Sequence, residues 1–175
     1  GHAPDPLVMR MRALGSMPSI GIDVEPIVTG DMFREMQAAL SHARWSAHRD
    51  NAAEGKPSLS TMPVRSREAL EWATIGNAKA MGIDNRVGTL TPGMKADITM
   101  LRARDLNIFP VHDPIYTIVE QAGAKNVDTV IIDGVVRKRA GKLLFEEALL
   151  ARRMDEMRAS ALRAMDEANF KLKAA

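Results

Sequence analysis

The spacing of apolar positions changes along the chain, and the changes mark its elements. Asp5-Pro6 predicts a helix start, because Asp can cap and Pro suits the first helical position. Leu7, Met9, Met11 and Leu14 follow, and Gly15 can stop that helix. Met17 to Val24 is a small apolar run carrying a carboxylate, Asp23, near its end. It predicts a short buried strand. Asp31 then caps a helix in which Met32, Phe33, Met36, Leu40 and Ala43 recur at helical spacing, fading by Arg49. Gly55, Pro57, Ser58, Ser60 and Pro63 make residues 50–63 loop-like. A third helix is expected from Ser66 to Met81, with Glu68 favouring its start and Gly82 ending it.

Beyond Gly82 the period shortens. Arg86 to Leu90, Asp97 to Arg102 and Val127 to Ile132 are strand candidates. Asp133-Gly134 is a two-residue hairpin signal leading into Val135 to Lys138. Between the second and third candidates, Asp113-Pro114 starts another helix that Gly123 can stop. Leu144 to Lys173 predicts a long helix, with Leu150, Met154, Met157, Ala161, Met165 and Ala168 as its apolar stripe. Twelve Met residues at such spacings fit adaptable core filling better than metal binding. No repeat of roughly 20–50 residues is visible.

The 175 residues fit one domain, or one domain with a satellite. Hydrophobic residues at 46% and charged residues at 26% are ordinary for a globular chain, which argues against disorder. A net charge of +2 and seven aromatic residues supply neither the basic stripe nor the stacking platforms of a nucleic-acid binder. No apolar run nears the ~20 residues of a membrane span, and no signal peptide is expected. Zero cysteines exclude a disulfide framework, a thiolate metal site and a cysteine nucleophile. They suit a reducing compartment, so a cytoplasmic location is expected. The start, Gly1-His2, reads as a tag scar or the cut edge of a longer protein.

Candidate chemistry is sparse. The four histidines, His2, His42, His48 and His112, form neither an H-x-H pair nor an H-E-x-x-H helix. His42 and His48 fall on different faces of one helix, and His112 belongs to the turn before Asp113-Pro114. Gly88 to Lys95 has a faint phosphate-loop look. Its lysine comes one place late with no Ser or Thr after it, which rules that reading out. Asp23 is the informative carboxylate. It is either a cap or turn residue, or a functional group at a strand's C-terminal end.

Four blocks, in order, carry a family resemblance. They are Pro18-Ser19-Ile20-Gly21-Ile22-Asp23-Val24 with Gly30-Asp31-Met32-Phe33 and Met36 to Leu40; Glu68 to Thr74 with Asn77-Ala78-Lys79-Ala80-Met81-Gly82; Val87 to Ile98; and Asn126 to Gly134. Over about residues 15–143 the chain resembles the amidohydrolase superfamily, in its cytosine-deaminase-like and chlorohydrolase-like branch. A complete (β/α)₈ barrel needs roughly 200–250 residues, more than this chain can spare. The resemblance therefore implies an α/β, C-terminal fragment of a (β/α)₈ barrel: its last strand and helices, part of a small β-sandwich, and a long terminal helix. The divisions expected are 1–85 for the barrel end, 86–143 for the sandwich segment and 144–175 for the terminal helix.

By the same resemblance, Asp23 matches the strand-eight aspartate that binds the catalytic metal and helps deprotonate its water. That implies a divalent metal, zinc or iron, in the parent enzyme. The reaction implied is hydrolysis of a C–N, or C–Cl, bond in a small cyclic substrate. One carboxylate falls short of the three protein ligands a catalytic zinc takes, so the fragment alone is expected to be inactive. A homo-oligomer acting on a small molecule is expected, with no nucleic acid and no membrane as partner. The rival reading is a non-catalytic binding or interaction module that docks through the terminal helix.

Overall fold

The computed structural model describes residues 7–23 and 30–168. Five helices or helical turns form one part of the molecule: α1 (Leu7–Ala13), α2 (Met32–Ala53), α3 (Ser66–Glu71), α4 (Asn77–Ala80) and α5 (Pro114–Tyr116). A π-helical turn, Trp72–Gly76, joins α3 to α4 without a break, and a second, Thr117–Gln121, extends α5. The expected third helix is thus one continuous rod with a wider turn inside it. The expected starts at Asp5 and Pro6 lie outside the described residues.

Caps set these helices where the sequence places them. The Asp31 carboxylate accepts the Phe33 N–H at 2.9 Å, and Asp113 accepts those of Ile115 and Tyr116 at 2.8 and 3.1 Å. Such a cap stabilises a helix by about 1 kcal/mol. Glu68 supports the start of α3 by accepting the Arg65 N–H at 3.0 Å. α2 runs four residues past its expected fade at Arg49, to Ala53. Its last turn is closed by the backbone: the Glu54, Gly55 and Lys56 N–H groups bond to the Asp50, Ala52 and Asn51 carbonyls. Val8, Met36, Leu40, Ala43, Val64, Ala69, Trp72 and Val119 close into one core between α1, α2, α3 and the second π-turn.

The rest is an antiparallel sheet, β1 (Ile98–Leu101), β2 (Val127–Ile132), β3 (Val135–Arg139) and β4 (Lys142–Leu143), in the order β1-β2-β3-β4. Asp133 (φ 50°) and Gly134 (φ 78°) make the expected hairpin turn with both residues left-handed. Ala140 (φ 48°) and Gly141 (φ 77°) repeat that turn between β3 and β4. The loop residues 95–97 are clamped to the first turn. Asp97 accepts the Asp133 N–H at 2.6 Å, Ala96 accepts the Gly134 N–H at 3.0 Å, and Lys95 pairs with the Asp133 carboxylate.

Two strand expectations fail. Arg86 to Leu90 is a turn: the Arg86 and Val87 N–H groups bond back to Ile83, and Gly88 takes φ 101°. A Cβ at Gly88 would lie 2.9 Å from the Ala78 Cβ and 3.0 Å from the Ile75 Cα, so this loop packs on the preceding helix instead of pairing. Residues 17–23 of the expected Met17–Val24 strand have no regular secondary structure, and Val24 lies outside the described residues. A strand exists only through partners on its edges, and the described residues supply none for this segment.

α6 (Glu147–Glu167) is the long terminal helix. The remainder of the expected 144–173 span, beyond residue 168, lies outside the described residues. No α6 residue is buried, so its apolar stripe is not covered by the rest of the described chain. No helix among the described residues is long and apolar enough to cross a membrane.

Candidate active site

Residues 16–23 cross the helical part in a fixed path. The Ser16 N–H bonds to the Met11 carbonyl at 2.9 Å, closing α1 with Gly15 at φ 71°. Pro18 is buried, and Ile20 packs against the helical core. The Ile20 N–H is taken by the Asn77 Oδ1 at 3.0 Å. Asp23 follows, exposed, with φ 63°. A left-handed backbone is uncommon for any residue with a side chain, though Asp is among the more tolerant. Of the other two such residues described, Asp133 and Ala140, both open hairpin turns. Asp23 lies in the irregular 16–23 stretch, and non-glycine residues held this way concentrate at functional sites.

A shallow groove of about 540 Å³ runs beside this segment, lined by Met9, Arg12, Met17, Pro18, Glu68 and Trp72 among others. Arg12 and Glu68 face each other across it at 2.7 Å. Glu68, one of two carboxylates lining the groove with Glu71, also holds the Arg65 N–H, so both its oxygens are engaged.

The histidines do not join Asp23. His42 and His48 are exposed on α2, His42 with its ring centroid 6.0 Å from that of Trp45. His112 is exposed in the turn before α5, and His2 lies outside the described residues. No group of three or more His, Cys, Asp or Glu side chains among the described residues is placed to hold a metal ion. A catalytic zinc takes three protein ligands and a water. The described residues therefore do not fit a metal centre by themselves, and Asp23 is at most one donor to one.

A family model described as the amidohydrolase family matches residues 6–137. The chain belongs to the amidohydrolase family. Among its relatives is a 5-methylthioadenosine/S-adenosylhomocysteine deaminase of Desulforudis audaxviator, 33% identical over 144 residues, which are 82% of this chain and 30% of that protein. The Acetivibrio thermocellus deaminase of the same name is 38% identical over 120 residues, 67% of this chain and 25% of that one. The chain thus spans about a quarter to a third of the relatives it matches.

The fold agrees. An adenosine deaminase from Xanthomonas campestris with bound zinc superposes with a TM-score of 0.67 at 23% identity, over 87% of this chain and 33% of that one. The atrazine chlorohydrolase of Arthrobacter aurescens complexed with zinc gives 0.66 at 21%, over 89% and 32%. In this amidohydrolase chain the sequence reading passed over two residues that hold the Asp23 segment, Gly76 and Asn77. The available signal was Asn77, which opens the 77–82 run quoted for the resemblance, with Gly76 just before it. A contact spanning 57 residues carries no local pattern.

Proposed function

We propose that this chain is the C-terminal part of a metal-dependent hydrolase that deaminates a small cyclic substrate, with Asp23 as its catalytic carboxylate. The observation that carries the reading is the placement of Asp23: exposed, left-handed, and three residues beyond an N–H held by the helical part, in an amidohydrolase chain. The relatives' names favour an adenine-bearing thioether nucleoside, such as S-adenosylhomocysteine or 5-methylthioadenosine, over a chlorotriazine.

In the reaction, water oxygen bonds to the ring carbon that carries the amino group. The C–N bond breaks and the nitrogen leaves as ammonia. Asp23 takes a proton from the water and returns it to the departing nitrogen, the part of a general base and then a general acid. A divalent metal, zinc before iron, completes the site with donors from the remainder of the protein. When bound, such a metal lowers the pKa of water toward about 7.

The test compares two proteins. The full-length protein, loaded with zinc, is expected to release ammonia from S-adenosylhomocysteine or 5-methylthioadenosine. Residues 1–175 alone are expected to release none and to retain no stoichiometric zinc after dialysis. Ammonia release by the isolated chain, or none by the full-length protein from either nucleoside, contradicts the reading.

A further inference from the structure

We infer that Gly76 and Asn77 are positioning residues for the Asp23 carboxylate, an anchor that acts through the backbone of residues 18–20 and touches no substrate. The inference rests on the assignment of Asp23 just made.

Three observations converge on this pair. The first is a hydrogen bond. Residues 16–23 have no strand partner among the described residues, and the Ile20 N–H is held by the Asn77 Oδ1 at 3.0 Å. The Asn77 Nδ2 points to the Ala73 carbonyl at 3.4 Å, which turns the amide so that its oxygen, not its nitrogen, meets Ile20. The second is a close approach. A Cβ on Gly76 would lie 2.3 Å from the Pro18 carbonyl oxygen and 3.1 Å from that of Glu71. Both atoms are backbone, so neither can swing away. Only glycine lets the segment lie this close to the helix. The third is the π-turn itself. Trp72–Gly76 carries one more residue per turn than an α-helix and delivers Gly76 and Asn77 together to the face under Pro18 and Ile20. Wide turns of this kind cost hydrogen-bond geometry and recur at functional sites.

The mechanical consequence follows from distance along the chain. Asp23 stands three residues beyond Ile20, a reach of roughly 10 Å at most. Ile20 is tethered three ways: by its own N–H, by its side chain in the helical core, and by the carbonyl of Pro18 against Gly76. If that tether slackens, the displacement passes to the Asp23 carboxylate. A misplacement of about 1 Å near a reacting centre can cost on the order of a hundredfold in rate. Asn77 is also an economical place for such control. It begins α4, where a change to Ala suits the helix and removes the acceptor for Ile20 together with the long 3.4 Å bond to Ala73.

The experiment uses the full-length enzyme with zinc loaded and compares Asn77→Ala, Asn77→Asp and Asp23→Asn. Asn77→Ala is expected to lower kcat by about ten- to a hundredfold, with KM within about threefold and an unchanged melting temperature. Asn77→Asp, which keeps an acceptor oxygen, is expected to recover most of that kcat. Hydrogen exchange of the Ile20 amide is expected to speed up in Asn77→Ala and to slow again in Asn77→Asp. A wild-type kcat in Asn77→Ala, a kcat that falls only in step with the folded fraction, or no recovery in Asn77→Asp each overturns the anchor. Asp23→Asn separates the two claims. If it is inactive while Asn77→Ala is wild-type, the anchor alone fails. If it retains wild-type activity, the assignment of Asp23 fails and the anchor with it.

Discussion

The helices α1 to α3 with the π-turn at Thr117–Gln121 and the sheet with α6 bury their side chains in opposite ways. The first group closes around Leu40, Ala43, Val64, Ala69 and Val119, each 1% exposed or less. In the second group only Val127 of the four strands is buried, and α6 buries nothing. Ile132, Val135, Leu143, Leu144 and Phe145 are all at least half exposed. A sheet or an amphipathic helix is stable when another layer covers its apolar face. The helical group has that cover within this chain, while the sheet and α6 present surfaces that await one. It is the covered group that holds the segment at Ser16, Pro18 and Ile20, the last of these lying three residues before Asp23.

Mutations can break this contrast. Trp72→Ala removes a large side chain that is 2% exposed and is expected to destabilise by about 3–5 kcal/mol. Met157→Ala, at a position 72% exposed on α6, is expected to change stability by less than about 0.5 kcal/mol. Urea unfolding followed at 222 nm reads both, and equal losses would erase the distinction. Next in size, Gly88→Ala forces a Cβ against Ala78 and Ile75 at a left-handed φ, for a loss of about 1–3 kcal/mol. A neutral result would mean that the 86–90 loop does not pack on the helix. Ala140→Gly works in the other direction. It relieves the only left-handed alanine described and is expected to gain about 1 kcal/mol, read as a higher urea midpoint.

The smallest effect is electrostatic. Asp105 is held below the usual carboxylate range, first by its bond to Arg102 and then by that to Asn126. Asp133 is lowered by its bond to Lys95. A carboxyl with a depressed pKa in the folded state adds stability above about pH 4, its unfolded value, and loses it as pH falls through the folded value. Both pairs are solvent-exposed, so the contribution is modest. Asp105→Asn with Asp133→Asn is expected to flatten the fall of the urea midpoint below pH 4. An unaltered fall would assign it to other carboxylates.

Local chemistry made much of this fold legible. Asp31, Asp113 and Asp133-Gly134 announce a cap, a cap and a turn, because each acts on backbone atoms within three residues. Ala140-Gly141 is the same turn in disguise, since alanine gives no turn signal and the geometry is imposed by the flanking strands. The 16–23 run has the composition of a strand, but pairing is a long-range matter and composition cannot supply a partner. Arg86 to Leu90 shows the same limit, with Gly88 decided by the helix beneath it. At the site, Asp23 stands out from the residues only as an end-of-run carboxylate, and its expected role comes from the resemblance. The buried Asn126, which bonds Asp105 at 2.8 Å and exchanges amide bonds with Asn107 at 2.9 and 3.2 Å, left no local trace at all.

The central claim is that the closed helical part presents Asp23 as the catalytic carboxylate of an amidohydrolase. Asp23→Asn in the full-length, zinc-loaded enzyme tests it most directly, with ammonia release and thermal melting measured on the same sample. The account predicts a kcat lower by roughly 10²- to 10⁴-fold with an unchanged melting temperature, because the carboxylate is exposed and makes no hydrogen bond or ion pair among the described residues. A variant that deaminates at the wild-type rate would contradict it.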